Sequence, residues 1–480
     1  MRRLLVLLLL CPWLVSARAQ DQPPTQPASQ PPSPSQPAAA LQLSPQAAYD
    51  QAVRPLDIVR RAAQNWSDSE LAALAVAQDI AKTSCLARTP DQFTGEDLLA
   101  YARLCAFAQQ WPQVKRAGTN YLIAQSAAKP EDKLTGFPNL SLAFDYVIQS
   151  SLHLNDSVNA FGTAQTMLRT VPYDDLTSEA INATVLYVQL IHTDEAIVLL
   201  SQRQPLLLAL LKAHATPSAI QAQSAHPPLT IHDLYADAIA LPSMLQFANQ
   251  SKAAARAFAE LEAAVPTSLS PDDAILTAGL RRQYLLLGSP LPQVPASAWL
   301  LDPATFAVPS DLNTRFGAGS IFLLFPDWCA QCVAAGQNFM AAAARLNKSG
   351  VYFYALLSQA DPKPPVPKEA PKLPKPATSG GAKEAKPAAT AAGKAETPHV
   401  DVNVSVKPIP SELLLSTPTL IVPMETLNTF VATDFPVIVA TDHDGIVRYI
   451  RPAPDNALVQ GGLIDQIAER ILDQWPAPTK

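Results

Sequence analysis

Between residues 42 and 287 apolar positions recur every three or four residues, the spacing that lines one face of an α-helix, with no convincing alternating run among them. Leu71, Leu74, Ala75, Ala77, Ile80 and Ala81 form one stripe; Leu98, Leu99, Tyr101, Ala102, Leu104, Cys105 and Ala108 form the next. Breaks fall at Trp111-Pro112, Asn155-Asp156, Val171-Pro172, His192-Thr193, Leu241-Pro242, Asn249-Gln250 and Val265-Pro266. The pattern predicts a series of antiparallel helical hairpins over residues 41–290. Beyond it the period changes: residues 321–325, Ile-Phe-Leu-Leu-Phe, are an apolar run of strand length, and residues 333–346 return to helical spacing. The expected fold class is multidomain, an all-α repeat-like domain followed by an α/β domain.

Two stretches carry neither pattern. Residues 20–40 are Gln, Pro, Ser and Ala with almost no large apolar side chain, and residues 361–398 hold seven lysines and nine prolines spaced by Ala and Gly. Neither can bury enough surface to offset the entropy of ordering it, so the first is expected to be a disordered tether and the second a disordered insertion. The insertion is read as a solvated spacer, with an envelope- or partner-binding arm as the other possibility. Together they hold about a third of the 46 prolines, and many of the others punctuate helical hairpins. Glycine, at 16 of 480 residues, is too sparse for an all-β protein rich in tight turns.

At the N-terminus Arg2 and Arg3 precede an unbroken apolar run, residues 4–10, and Ala17-Arg18-Ala19 supplies a small-x-small cleavage pattern. The run is too short to cross about 30 Å of hydrocarbon, so residues 1–19 are expected to be a cleaved secretory signal. Cys11 lies within that signal, after Leu10 rather than after the small residue of a lipoprotein site. No later segment offers about 18 uninterrupted apolar residues. The expected location is periplasmic or secreted, where disulfides persist, with Cys85, Cys105, Cys329 and Cys332 retained. A net charge of -6, from 35 basic and 41 acidic residues, leaves no electrostatic footprint for nucleic acid or anionic lipid.

Several helical hairpins resemble tetratricopeptide repeats, in which small residues let paired helices approach closely. The match is carried by the octapeptide Tyr101-Ala102-Arg103-Leu104-Cys105-Ala106-Phe107-Ala108 with Trp111, Val114, Ala117 and Tyr121, and again by Leu245, Phe247, Ala248, Ala253 and Ala254. The distances between turns depart from a strict period of ~34 residues, so the resemblance implies a degenerate helical solenoid that holds a protein partner; an ordinary helical bundle without a groove is the alternative. Cys85 and Cys105 fall on consecutive helices. In a simple hairpin turning near Pro90 they lie about five and about fifteen residues from the turn, an axial offset on the order of 15 Å. That exceeds the reach of a disulfide, so unless the first helix ends early both are expected as small buried hydrophobes.

The chemistry concentrates after residue 320. A strand, the turn Pro326-Asp327, the run Trp328-Cys329-Ala330-Gln331-Cys332 and a helix follow in order. This places Cys329 at a helix N-terminus, where free N–H groups and the macrodipole stabilise a thiolate, and Cys332 one turn on, able to attack a mixed disulfide. Zinc would need a second ligand pair that Cys85 and Cys105 do not supply, and covalent haem would need a histidine where Val333 stands. A structural disulfide is the remaining alternative to redox chemistry. No phosphate loop, Gly-x-Ser-x-Gly turn or His-Glu-x-x-His helix occurs, and the histidines lack metal-ligand spacing.

In these residues the chain resembles thioredoxin-like thiol-disulfide oxidoreductases, in particular their extracytoplasmic TlpA-like branch. Residues 351–357 read as the next strand, Asp434-Phe435-Pro436-Val437 as the family's cis-proline and the start of another, Asp442-His443-Asp444-Gly445 as a hairpin turn, and residues 458–472 as the closing helix. The resemblance implies a thioredoxin-like domain over residues 295–480, interrupted by the insertion, with catalytic Cys329 and Cys332. It implies that Pro436 packs against them and that Phe435 offers its backbone to an extended substrate. Trp328 is given a supporting role at the site or a packing one, and Pro418 is a rival for the cis-proline. Two departures bear on the chemistry: Leu323 stands where many relatives have a buried acid, and Ala330-Gln331 lacks the histidine of strongly oxidising relatives. A mild reductase or isomerase follows, with no cofactor or metal. Its partners would be a disulfide-containing client and a membrane or periplasmic electron donor. The alternative function is a non-enzymatic envelope scaffold or redox-sensing docking module.

Overall fold

Local hydrogen bonds fix where the helices of the first region begin and end. The computed structural model describes residues 43–62, 68–129, 139–213, 229–294, 298–299, 318–329, 332–346, 349–358, 417–430, 435–454 and 456–475. The expected signal (1–19), tether (20–40) and insertion (361–398) lie outside the described residues. Helices α1 (Pro45–Ala62), α2 (Asp68–Leu86), α3 (Glu96–Phe107), α4 (Trp111–Ala127), α5 (Leu140–His153) and α6 (Ser157–Thr170) come first. They are followed by α7 (Asp175–Gln189), α8 (Thr193–Lys212), α9 (Ile231–Ala238), α10 (Ala240–Phe247), α11 (Ser251–Glu262) and α12 (Pro271–Leu286). Asp156, Asp174, Thr230 and Ser270 each accept a bond from a free first-turn N–H, of α6, α7, α9 and α12 in turn.

The helix ends repeat one device. Gln109, Asn155 and Asn249 adopt φ of 55°, 56° and 60°. In each case the next N–H reaches back to the helix, from Gln110 to Cys105 O, Asp156 to Ser151 O and Gln250 to Leu245 O, all at 2.8 Å. These are left-handed C-caps that satisfy an orphan carbonyl, and they turn α3 into α4, α5 into α6 and α10 into α11 in the same way. Where α4 meets α5, Gly118 permits close approach: a Cβ there would lie 2.9 Å from Val147 Cγ2. The break expected at Leu241-Pro242 falls earlier, at Ile239, because Pro242 sits in the first turn of α10, where its missing N–H leaves no bond unmade.

The second region is a mixed sheet flanked by helices. Strands β1 (Ala298–Trp299), β2 (Gly319–Pro326), β3 (Val351–Ser358), β4 (Thr419–Val422), β5 (Val437–Asp442) and β6 (Val447–Pro452) lie in the order β1-β4-β3-β2-β5-β6. β2, β3 and β4 run parallel; β5 is antiparallel to β2, and β6 to β5. Helix α13 (Cys332–Leu346) connects β2 to β3, α14 (Met424–Thr429) follows β4, and α15 (Ala457–Asp473) follows β6. The observed class is therefore helical first and α/β second.

The two regions share one core. One apolar cluster runs from Phe144 to Trp475 across helices and sheet, a second joins α1 to α5 from Ala48 to Ala143, and the described residues from 44 onward form one compact unit. Arg470 of α15 donates to Thr193 Oγ1 (2.6 Å) and Phe247 O (3.3 Å) while its guanidinium lies 4.4 Å over the Phe247 ring. Phe247 in turn meets Tyr449 and Trp475 edge to face. Residues 288–291 pair with the outer side of β6 through Gly288 N to Val447 O, Val447 N to Ser289 O and Leu291 N to Gly445 O, so that edge is covered rather than exposed. Among the described residues no helix is long and apolar enough to cross a membrane.

One expectation is overturned. Cys85 and Cys105 form a disulfide with Cα atoms 5.3 Å apart. The offset argument assumed a tight hairpin, but α2 ends at Leu86, directly after Cys85, and α3 starts only at Glu96. The intervening segment, with a 3₁₀ turn at Pro90–Gln92, is long enough to run back along the helix, so the C-terminal end of α2 meets the far half of α3. Tyr101, one turn before Cys105, marks the crossing, its hydroxyl reaching Cys85 O (3.1 Å) and Arg88 O (3.0 Å). Closing a loop with a sequence separation of 20 restricts the unfolded chain, so Cys85→Ser with Cys105→Ser is expected to lower stability by about 3 kcal/mol, read from denaturant midpoints at unchanged slope.

Candidate functional site

The site is built where β2 ends. Residues 321–326 of this strand are all buried, since partners flank it on both sides and helices cover it. Pro326 closes the strand, Asp327 N still bonds Ser358 O of β3 at 2.8 Å, and Cys329 N turns back to Pro326 O at 3.2 Å. Cys332 opens α13, with its N–H on Cys329 O at 3.1 Å. The helix is fixed from behind: Gln460 of α15 donates to Ala335 O at 2.9 Å, Asn338 donates to Gln460 Oε1 at 3.1 Å, and Phe339 packs edge to face on Phe353. Ala330 and Gln331, whose identities bear on redox character, lie outside the described residues.

The second half of the site arrives from far along the chain. β5 runs antiparallel to β2 with Leu324 opposite Val437, and continuing that register sets Pro436 beside Phe325 and Phe435 beside Pro326. Among the described residues the cis peptide bond falls at Phe435–Pro436, and Thr417–Pro418 is not cis. Pro436 O is held by Ala453 N at 2.7 Å.

Of the five residues singled out in the sequence, Trp328, Cys329, Cys332 and Phe435 meet here, and Pro436 adjoins them through its peptide bond to Phe435. Cys329 and Cys332 are joined by a disulfide with Cα atoms 5.3 Å apart. Cys329 Sγ lies 4.0 Å from the carbonyl oxygen of Phe435, across a sequence separation of 106 residues. The Trp328 ring stands edge to face on the Phe435 ring at 6.1 Å and is half exposed. Leu323 is fully buried on β2 between Ala355 and Ile438, so the strand brings no carboxylate beneath the pair. Tyr354, on β3, is pushed up from its ordinary pKa by burial and stays a neutral phenol.

Sequence reasoning missed what stands beside this site. Tyr449 and Arg451 of β6, with Phe435, line a cavity shared with the helical region. Burial raises the Tyr449 phenol to about 12 and holds the Arg451 guanidinium below its usual range. No local motif marks these residues, because the cavity exists only once helices and sheet have packed. Two of the described histidines lie elsewhere: His153 stacks on Trp111 with ring centroids 3.8 Å apart, and His443 Nδ1 faces Trp475 O at 3.3 Å.

Exposure orders the reactivity of the four sulfurs. Cys329 is 4% exposed, Cys332 1%, and Cys85 and Cys105 not at all. After mild reduction of the folded protein, a maleimide is expected to label Cys329 first and Cys332 at least about tenfold more slowly, leaving Cys85 and Cys105 unlabelled until denaturant is added. Mass mapping of a labelling time course reads this order directly; early labelling of Cys105 would contradict it.

No protein-family model matches this chain, and no curated protein matches it either.

Proposed function

We propose that the protein is an extracytoplasmic thiol-disulfide oxidoreductase, a reductase or isomerase of protein disulfides, whose residues 295–480 form a thioredoxin-like domain and whose helical region is a tetratricopeptide-like solenoid that holds a client or partner. The observation that carries the reading is the contact between Cys329 Sγ and the Phe435 carbonyl at 4.0 Å, which brings a cysteine pair at the start of a helix against the backbone that precedes Pro436. The order strand, Cys-x-x-Cys, helix, strand, then Pro436, strand, hairpin, strand and closing helix supports the fold assignment. The repeated C-cap turns and the close approach at Gly118 support the solenoid.

In the proposed exchange the Cys329 thiolate attacks one sulfur of a client disulfide, forming a mixed disulfide and releasing the other client sulfur as a thiolate that takes up a proton. Cys332 then gives up its proton and attacks Cys329 Sγ, the second client sulfur leaves as a thiol, and the Cys329–Cys332 disulfide remains. The disulfide-bonded state is the oxidised end of this cycle. An electron donor, membrane-bound or periplasmic, supplies the two electrons and two protons that restore the dithiol.

A scaffold reading is favoured by the burial of both sulfurs and by Leu323. Reduction potential separates the two: a value below about -300 mV together with an ordinary thiol pKa at Cys329 indicates a structural disulfide. For the enzyme, Cys332→Ser is expected to accumulate mixed disulfides with client proteins, seen as ladders on non-reducing gels that vanish in Cys329→Ser. If no species is trapped and the wild type does not reduce insulin, the oxidoreductase proposal fails.

A further inference from the structure

Between the helical layer and the last strand lies a cavity of about 690 Å³, a size typical of sites that take a ligand. Its helical wall mixes an apolar stretch, Val185 of α7, Leu280 of α12 and Leu287 just beyond α12, with polar side chains such as Asn182, Ser243 and Gln283; Tyr449 and Arg451 of β6 line it too, as does Phe435. Phe435 is therefore shared, since its carbonyl oxygen is the atom 4.0 Å from Cys329 Sγ.

Among the described residues the charges around the cavity do not balance. Asp237 also lines it, but its carboxylate is saturated by Tyr173 Oη (2.7 Å), Ser178 Oγ (2.6 Å) and Asn182 Nδ2 (2.8 Å), with Arg203 at 3.6 Å. Arg451 has no such partner. Among the described residues its guanidinium gives one hydrogen bond, to Ala240 O at 3.2 Å, and no carboxylate pairs with it. The charged and titratable groups that act on it are the Arg203 cation and the Tyr449 phenol, neither of which neutralises it. A partly buried cation held against an apolar stretch is stabilised by an anionic guest that brings its own apolar surface.

We infer that this cavity receives an acidic side chain of the client protein, flanked by apolar residues, with its carboxylate on Arg451 and its backbone leading past Phe435 toward Cys329. The occupant is a polypeptide rather than a free anion because the apolar stretch of Val185, Leu280 and Leu287 and the continuity with Phe435 both ask for flanking chain. The direction toward Cys329 rests on the proposed disulfide exchange; the binding itself does not.

Two fluorescent peptides without cysteine, identical except for Glu or Gln within Leu- and Val-rich flanks, test the binding by anisotropy against the full chain. The Glu peptide is expected to bind about tenfold more tightly than the Gln peptide. Arg451→Gln should erase that preference, and Arg451→Lys should restore part of it and serves in its place if the Gln variant fails to fold. Gln283→Glu, which places a carboxylate on the cavity's α12 wall, should weaken the Glu peptide alone. Equal affinity of the two peptides, absence of binding, or a preference that survives Arg451→Gln would each overturn the inference. Disulfide-bearing versions of the same peptides separate the two readings. A Glu preference in binding with no exchange on either peptide rejects the oxidoreductase and keeps the cavity; exchange with no Glu preference does the reverse.

Discussion

The candidate site depends on β2 being paired on both sides. Its parallel pairing with β3 and antiparallel pairing with β5 each run through most of the strand, and a slip of one residue in either would turn every side chain to the wrong face. Because the strand is buried along nearly its whole length, such a slip is strongly disfavoured. The register with β5 therefore sets where Phe435 and Pro436 come to rest, and the register with β3 sets where Pro326 ends the strand and releases the chain into Cys329. The closeness of Cys329 and Phe435 follows from these two ladders, with no further contact needed to bring them together.

The helical region completes the sheet rather than standing apart from it. Arg470 ties α15 to the start of α8 and the end of α10, and residues 288–291 occupy the free edge of β6. A buried guanidinium is tolerable only with its donors largely satisfied, and Arg470 meets this by bonding a hydroxyl and a backbone carbonyl and by lying over the Phe247 ring. The cavity beside Phe435 is a by-product of this docking: the helices meet β6 at Tyr449 and touch Arg451 through Ala240 O, leaving space between them. Asn182 and Asp237, which line the cavity, belong to a hydrogen-bonded cluster with Arg203 and Tyr173 behind them.

What was legible in the sequence was local. The helical period, the breaks at Asn155-Asp156 and Val171-Pro172, and the strand-turn-helix setting of Cys329 and Cys332 all lie within a dozen residues, where propensity and spacing act directly. Pro436 was preferred to Pro418 because the strand after it runs straight into a hairpin, which is again local order. Cys85 and Cys105 failed for the complementary reason. Their pairing depends on the path of the loop through Pro90, and loop paths are set by tertiary contacts such as the Tyr101 hydroxyl on Cys85 O and Arg88 O. The cavity was out of reach altogether, since Val185, Leu280 and Arg451 carry no pattern that relates them.

Leu323 determines where the resolving proton can go under the proposed exchange. A carboxylate beneath the cysteine pair would accept it, but this position is apolar and its cross-strand neighbours are Ala355 and Ile438. Cys332 is itself 1% exposed, which disfavours the free thiolate by desolvation. Where the departing client sulfur accepts that proton, proton loss from Cys332 and release of the client become coupled. A client whose leaving thiol is more basic would then accept the proton more readily yet leave less readily, and the two effects oppose each other. Such an enzyme resolves its mixed disulfide at a rate that varies weakly with the client's thiol pKa, whereas one with a resident acid shows the full leaving-group dependence. On that account, discrimination among clients falls to the surfaces around the sulfurs, the role we infer for the Arg451 cavity.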